Sequence, residues 1–116
     1  KLSKQINLFE YSKKIHKKAN IFYLYYKNNC IGILAYYLNK KSSFITSVSI
    51  HKDFHGNGYG NFFLKYFFNE MVKKNIEEIT LEVDRVNYKA INFYKKHGFI
   101  INQKSNTDKF FAIKKI

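Results

Sequence analysis

The spacing of apolar positions changes period several times along the 116 residues, and each change predicts an element. Over residues 5 to 19 (QINLFEYSKKIHKKA), Ile6, Phe9, Ile15 and Ala19 stand near helical spacing among polar neighbours, which predicts an amphipathic helix. Residues 21 to 27 and 30 to 38 are rich in aromatic and β-branched side chains and flank Asn28-Asn29, the pattern of a β-hairpin. A turn over 39 to 43 leads into FITSVSIH (44 to 51), where Ile45, Val48 and Ile50 alternate with polar residues but slip by one position midway. Such a slip predicts a bulge or a two-faced strand. Residues 59 to 74 carry Phe63, Phe67 and Met71 on one broad apolar face, as a buried helix does. IEEITLEV (76 to 83) returns to a strand pattern. Asn87 is then placed to cap a helix over YKAINFYKKH, and Gly98 to stop it in the left-handed conformation. Two last strands fit 99 to 104 and 109 to 115 around a Ser-Asn-Thr-Asp turn. The order αβββαβαββ, free of repeats and low-complexity stretches, predicts one α/β (α+β) domain over residues 1–116.

Composition changes this picture little. The chain is 46% hydrophobic and 19% aromatic, so a domain of this size can still bury a substantial core. Its formal charge of +13 raises nucleic acid as a partner, since lysine and arginine neutralise phosphates. Of the 21 basic residues, however, 20 are lysines and only Arg85 is an arginine, and the lysines fall in scattered pairs such as Lys13-Lys14 and Lys95-Lys96. Base reading and bidentate phosphate gripping favour the guanidinium, so the lysines read as solvated surface and no nucleic-acid partner is expected. The single Cys30 excludes an internal disulfide framework and reads as a buried structural thiol. No run reaches about 18 apolar residues, so no membrane is expected, and the lone cysteine suggests a reducing compartment, which makes cytoplasm the expected location. His16, His51 and His97 lack metal-ligand spacing, so no metal is expected.

The chemistry concentrates in VSIHKDFHGNGYGNFFL, residues 48 to 64, where a strand, a polar link and glycines at 56, 58 and 60 precede a helix. Glycines let backbone approach a ligand closely, and the unpaired N–H groups and positive dipole end of the helix favour a pyrophosphate. The alternate glycines do not fit G-x-G-x-x-G, and no Gly-Lys-Ser/Thr is present for a P-loop. By themselves they also fit a plain tight turn. The segment resembles the acetyl-CoA motif of the GNAT superfamily, Arg/Gln-x-x-Gly-x-Gly/Ala, with His55 in the first position and Gly58 and Gly60 in the glycine positions. LEVDRVNYKAINFYKKHGF (81 to 99) is similar to the same superfamily's strand, Asn, Ala, Phe-Tyr and Gly-Phe pattern, and the two motifs follow in the family's order. The resemblance covers residues 21 to 116 and implies a mixed, mostly antiparallel central sheet flanked by helices, with the N-terminal part shortened. Two departures stand out: His55 replaces the usual Arg or Gln, and Lys52 replaces the customary Pro after the fourth strand.

The resemblance implies an N-acetyltransferase that uses acetyl-CoA as co-substrate, the acceptor amine attacking the thioester directly while both are bound. The expected cofactor-binding residues are Val48, Ser49, Ile50, His55, Gly56, Asn57, Gly58, Tyr59, Gly60, Asn61, Asn87 and Tyr94. An amine attacks only when neutral, and its pKa of about 8 (α-amine) or 10.4 (lysine) calls for a base. Glu82 is the candidate, because strand alternation points it opposite Leu81 and Val83. The chain is similar here to ribosomal-protein alanine N-acetyltransferases, whose LEV strand supplies a base Glu and is followed twelve residues later by an acid Tyr, the spacing of Glu82 and Tyr94. Glu82 also fits an ordinary solvent-facing strand residue, and Tyr94 a core aromatic. Tyr94 shares a helical face with Asn87, Ala90 and Ile91, where small Ala90 leaves room for a cofactor chain. Backbone N–H groups around Val48, Ser49 and Ile50 are the expected oxyanion donors. The expected partners are acetyl-CoA and an amine acceptor, left open among a protein N-terminus, a lysine, an aminosugar and a small amine, and a homodimer is a further expectation. The alternative reading is a non-catalytic acetyl-CoA-binding regulatory module.

Overall fold

The computed structural model describes residues 6–12, 19–103 and 107–116, with side chains from residue 19 onward. The strands are β1 (Ile6–Ser12), β2 (Asn20–Tyr26), β3 (Asn29–Asn39), β4 (Ser42–Ile50), β5 (Glu78–Asp84), β6 (Ile100–Asn102) and β7 (Lys109–Lys115). The helices are α1 (Tyr59–Lys73) and α2 (Tyr88–Lys96), with a single 3₁₀ turn at Lys52–Phe54. The seven strands form one sheet in the order β1-β2-β3-β4-β5-β7-β6.

The first element corrects the sequence reading. Residues 6 to 12 form a strand, not a helix, and pair antiparallel with all of β2, from Ile6 opposite Tyr26 to Ser12 opposite Asn20. The seven-residue ladder with β2 is a pairing across the chain that local spacing does not record, and a short amphipathic helix is marginal without packing, so context overrides the apolar spacing. The rest of the expected helix, residues 13 to 18, lies outside the described residues.

Strand alternation selects the core. Phe22, Leu24, Leu34, Tyr36, Ile45, Ile79, Leu81, Val83 and Ala112 point to one face of the sheet and meet Phe63, Leu64, Phe67 and Met71 of α1 and Ile91 of α2. Phe67 sets its ring edge-on to Tyr36 at 4.9 Å and Phe22 at 6.2 Å, so truncating it to alanine should cost about 3–5 kcal/mol. The two helices touch on that same face: a Cβ on Gly60 would lie 3.6 Å from Phe93, and Phe68 packs on Phe99. Residues alternating with the core, among them Ile33, Glu82, Ile100 and Phe111, are exposed on the opposite face.

One irregularity shapes everything that follows. In β4 the pairing with β3 jumps from Ser47 opposite Ala35 to Ile45 opposite Tyr36, leaving Thr46 as an extra residue. This is the bulge that the slipped alternation predicts, and the Thr46 hydroxyl closes it by donating to the Ala35 carbonyl at 3.2 Å. β4 and β5 run parallel only from Ser42/Glu78 to Ile45/Leu81, so their ladder ends at the bulge. Beyond it Ser47–Ile50 pair only with β3, and Glu82–Asp84 only with β7. The sheet is therefore split between β4 and β5 along half its length.

Candidate functional site

Past Ile50 the chain folds back on itself in a few residues. The His51 N–H donates to the Ile31 carbonyl at 2.7 Å, and His51 Nδ1 accepts from the Asp53 N–H at 3.1 Å, capping the 3₁₀ turn. That turn returns His55 to the end of β4, where its Nε2 lies 2.6 Å from the Ile50 carbonyl oxygen, as donor to it. Gly56 and Gly58 then take φ of 81° and 82°, a left-handed conformation that side chains disfavour, which is why this tight passage carries glycine.

Gly58 immediately precedes α1 and brings no side chain to cap it, and the first turn contains no acidic residue. The first intrahelical bond runs from the Phe62 N–H to the Gly58 carbonyl at 3.0 Å. The N–H groups of Tyr59, Gly60 and Asn61 thus have no acceptor within the helix and lie at its positive end. α2 is closed differently: Asn87 Oδ1 accepts from the Ala90 N–H at 3.2 Å, the cap read from sequence. Gly98, just past its end, has φ of 94°, as expected of the stop.

Between these helix starts and the split in the sheet lies a cavity of about 540 Å³. Of the expected residues, Val48, Ser49, Ile50, His55, Gly56, Gly58, Tyr59, Gly60, Asn61, Asn87 and Tyr94 line it. Asn57 does not, and donates instead from its side chain to the His55 carbonyl at 3.4 Å. Glu82 also lies outside the lining, exposed on the other face of the sheet. Phe54, Lys89, Phe93 and Lys96 join the wall without having been singled out, although the basic pair at this mouth suits an anion.

Tyr94 is partly buried and packs against Phe93 and Phe99, with ring centroids 5.4 and 5.5 Å away. Burial raises the pKa of its hydroxyl above the usual 10, so it keeps its proton at neutral pH. His97 Nε2 meets Asn61 Oδ1 at 2.8 Å, tying the end of α2 to the first turn of α1. Its pKa is lowered, first by burial and then by Lys65, Lys96 and Lys114, which keeps the ring neutral. Cys30 is a correction: it is exposed rather than buried, because it stands beside the bulge of β3 opposite Tyr25, and its thiol reaches the Gly32 carbonyl at 3.5 Å.

Residues 3–99 match the Acetyltransferase (GNAT) family. The chain belongs to this family. Streptothricin acetyltransferase A of Bacillus subtilis is 30% identical over 92 residues, which are 78% of this chain and 52% of that protein. The chain therefore spans about half the length of this curated relative. The fold is shared with a GNAT family acetyltransferase from Elizabethkingia anophelis solved with acetyl-CoA bound, at a TM-score of 0.85 and 14% identity over 98% of this chain and 100% of that one. PaiA N-acetyltransferase of Thermoplasma acidophilum, solved with coenzyme A, gives 0.78 and 21% identity, covering 84% of this chain and 61% of that one. Among the described residues of this GNAT domain, no helix is long and apolar enough to cross a membrane.

Proposed function

We propose that this domain transfers an acetyl group from acetyl-CoA to a primary amine by direct attack in a ternary complex. One observation carries the reading: the uncapped start of α1 and the protonated Tyr94 face one cavity, which opens onto the split between β4 and β5. The N–H groups at the start of α1 and the glycine loop suit the pyrophosphate of acetyl-CoA, with Lys89 and Lys96 adding positive charge at the wall. The half of β4 that has lost β5 offers backbone N–H groups to the pantetheine amides and to the developing oxyanion.

The reaction needs one proton removed and one supplied. The amine attacks the thioester carbonyl, the C–S bond breaks, and the thiolate takes the proton of the Tyr94 hydroxyl. The proton of the acylated nitrogen passes to Glu82, which carries the role of base from the opposite face of the split sheet. A pattern across β5 and β7 supports Glu82 in this role. On the exposed face Glu78 and Asp84 stand opposite Lys115 and Lys109 and bond to them at 2.9 and 2.7 Å, whereas Glu82 stands opposite Phe111. Among the described residues the Glu82 side chain forms no ion pair or hydrogen bond, and only adds a minor pull on Lys109, whose pKa is raised chiefly by Asp84. A surface carboxylate that is unpaired among the described residues of a chain this basic fits a group kept free to receive a proton.

The test is release of free thiol from acetyl-CoA with a panel of α-amines, lysine peptides, aminosugars and small amines. Amine-dependent release is the expected result. Tight binding of acetyl-CoA with no release across the panel would instead favour the non-catalytic module.

A further inference from the structure

The His55 imidazole occupies an unusual place for a residue lining an anion cleft, because its bond is made to the protein itself. In an antiparallel ladder successive residues turn their backbone groups alternately toward one neighbour and the other. The His51 N–H bonds to Ile31 on the β3 side, so Ile50, one residue earlier, turns its N–H and carbonyl toward the side that β5 has left. That carbonyl has lost its sheet partner and lies at the mouth of the cavity lined by Ile50, His55 and the glycine loop. Without His55 that exposed acceptor would be left to water, with its negative end turned toward any anion in the cleft.

We infer that His55 is a positioning residue whose imidazole caps the Ile50 carbonyl, shielding it from the anion cleft and fastening the glycine loop to the split end of β4. The inference rests on the proposed use of this cleft for acetyl-CoA. The distance of 2.6 Å requires the proton on Nε2, because a carbonyl oxygen only accepts. In the neutral ring Nδ1 is then an acceptor and has nothing to donate to a phosphate oxygen. With Nε2 committed to the carbonyl, His55 serves the anion indirectly, and the property that matters is an N–H donor at the right reach. A glutamine amide offers the same donor.

The experiment compares His55→Gln and His55→Ala with the unaltered protein. Because His55 is exposed, both variants are expected to fold, which circular dichroism checks. In steady-state assays His55→Ala should raise KM for acetyl-CoA roughly 2- to 12-fold, the effect of losing one hydrogen bond, with kcat within about twofold. His55→Gln should recover most of that loss. Long-range ¹⁵N–¹H correlation of the free protein at pH 8 should show the Nε2–H tautomer. A His55→Gln variant as impaired as His55→Ala, an unimpaired His55→Ala, or a dominant Nδ1–H tautomer would each overturn the proposal. Failure of the unaltered protein to bind acetyl-CoA would instead remove the functional reading, while the tautomer measurement would still report whether the cap exists.

Discussion

At the scale of single residues, the account assigns opposite proton duties to Tyr94 and Glu82, and each assignment has its own signature. Tyr94→Phe removes one hydroxyl from a packed ring, so acetyl-CoA should bind as before while kcat falls roughly 10- to 1000-fold. Single-turnover kinetics beside calorimetry separates the two effects, and a full-rate Tyr94→Phe would leave the residue as packing. Because burial pushes the Tyr94 pKa upward, the alkaline fall in rate as it deprotonates should lie above pH 10 and be absent from the Phe variant. Glu82→Gln should displace the rising limb of the pH–rate profile toward higher pH, since more of the amine must deprotonate unaided. A variant with an unmoved profile would pass the base role to another group. These two residues also show how far sequence reaches. Spacing from the LEV strand singles out both, but which face of the sheet each occupies depends on the order of strands and the packing of α2. Cys30 fails to follow its apolar surroundings because the register jump between Leu24 and Tyr25 lies beside it, and that jump leaves no mark in the residue pattern.

Among the elements, those with strong local signals were legible. The bulge of β4 shows as a slipped alternation, α2 is bounded by the Asn87 cap and Gly98, and the start of α1 is announced by its glycines. β1 misleads because Ile6 and Phe9 satisfy helical spacing, while the antiparallel partner that makes it a strand comes later in the chain. The clasp between α1 and α2 was equally invisible, since Asn61 and His97 lie 36 positions apart. It gives a prediction with a definite sign. The folded-state pKa of His97 is depressed, so the unfolded chain binds a proton more readily. The associated stability is fully present above about pH 6.5, the unfolded value, and is lost as pH falls toward the lower folded value. Tm should therefore drop as pH falls below about 6.5. A His97→Gln variant, which keeps a donor for Asn61 but does not titrate, should show a shallower drop. Equal slopes for the two proteins would assign the pH dependence to other groups.

For the whole molecule, the formal charge of +13 acts at long range on whatever anion enters the cleft. If that anion is acetyl-CoA, its KM should rise several-fold as salt increases from about 0.05 to 0.5 M, because the screening length shortens from roughly 14 to 4 Å. A flat response would mean that only short contacts at the glycine loop matter. The central claim is that the start of α1 and the split in the sheet form an acetyl-CoA site, and Gly60 tests it most cleanly. Unlike Gly56 and Gly58 it does not have a positive φ, and a Cβ placed on it meets only Phe93, at an ordinary 3.6 Å. Gly60→Val should therefore fold, yet it places methyl groups beside Phe93 in the cavity that both residues line. The decisive measurement is titration calorimetry of acetyl-CoA into the unaltered domain and into Gly60→Val, with folding of both verified by circular dichroism. The account predicts saturable binding in the first and none in the folded variant; equal binding in both would contradict it.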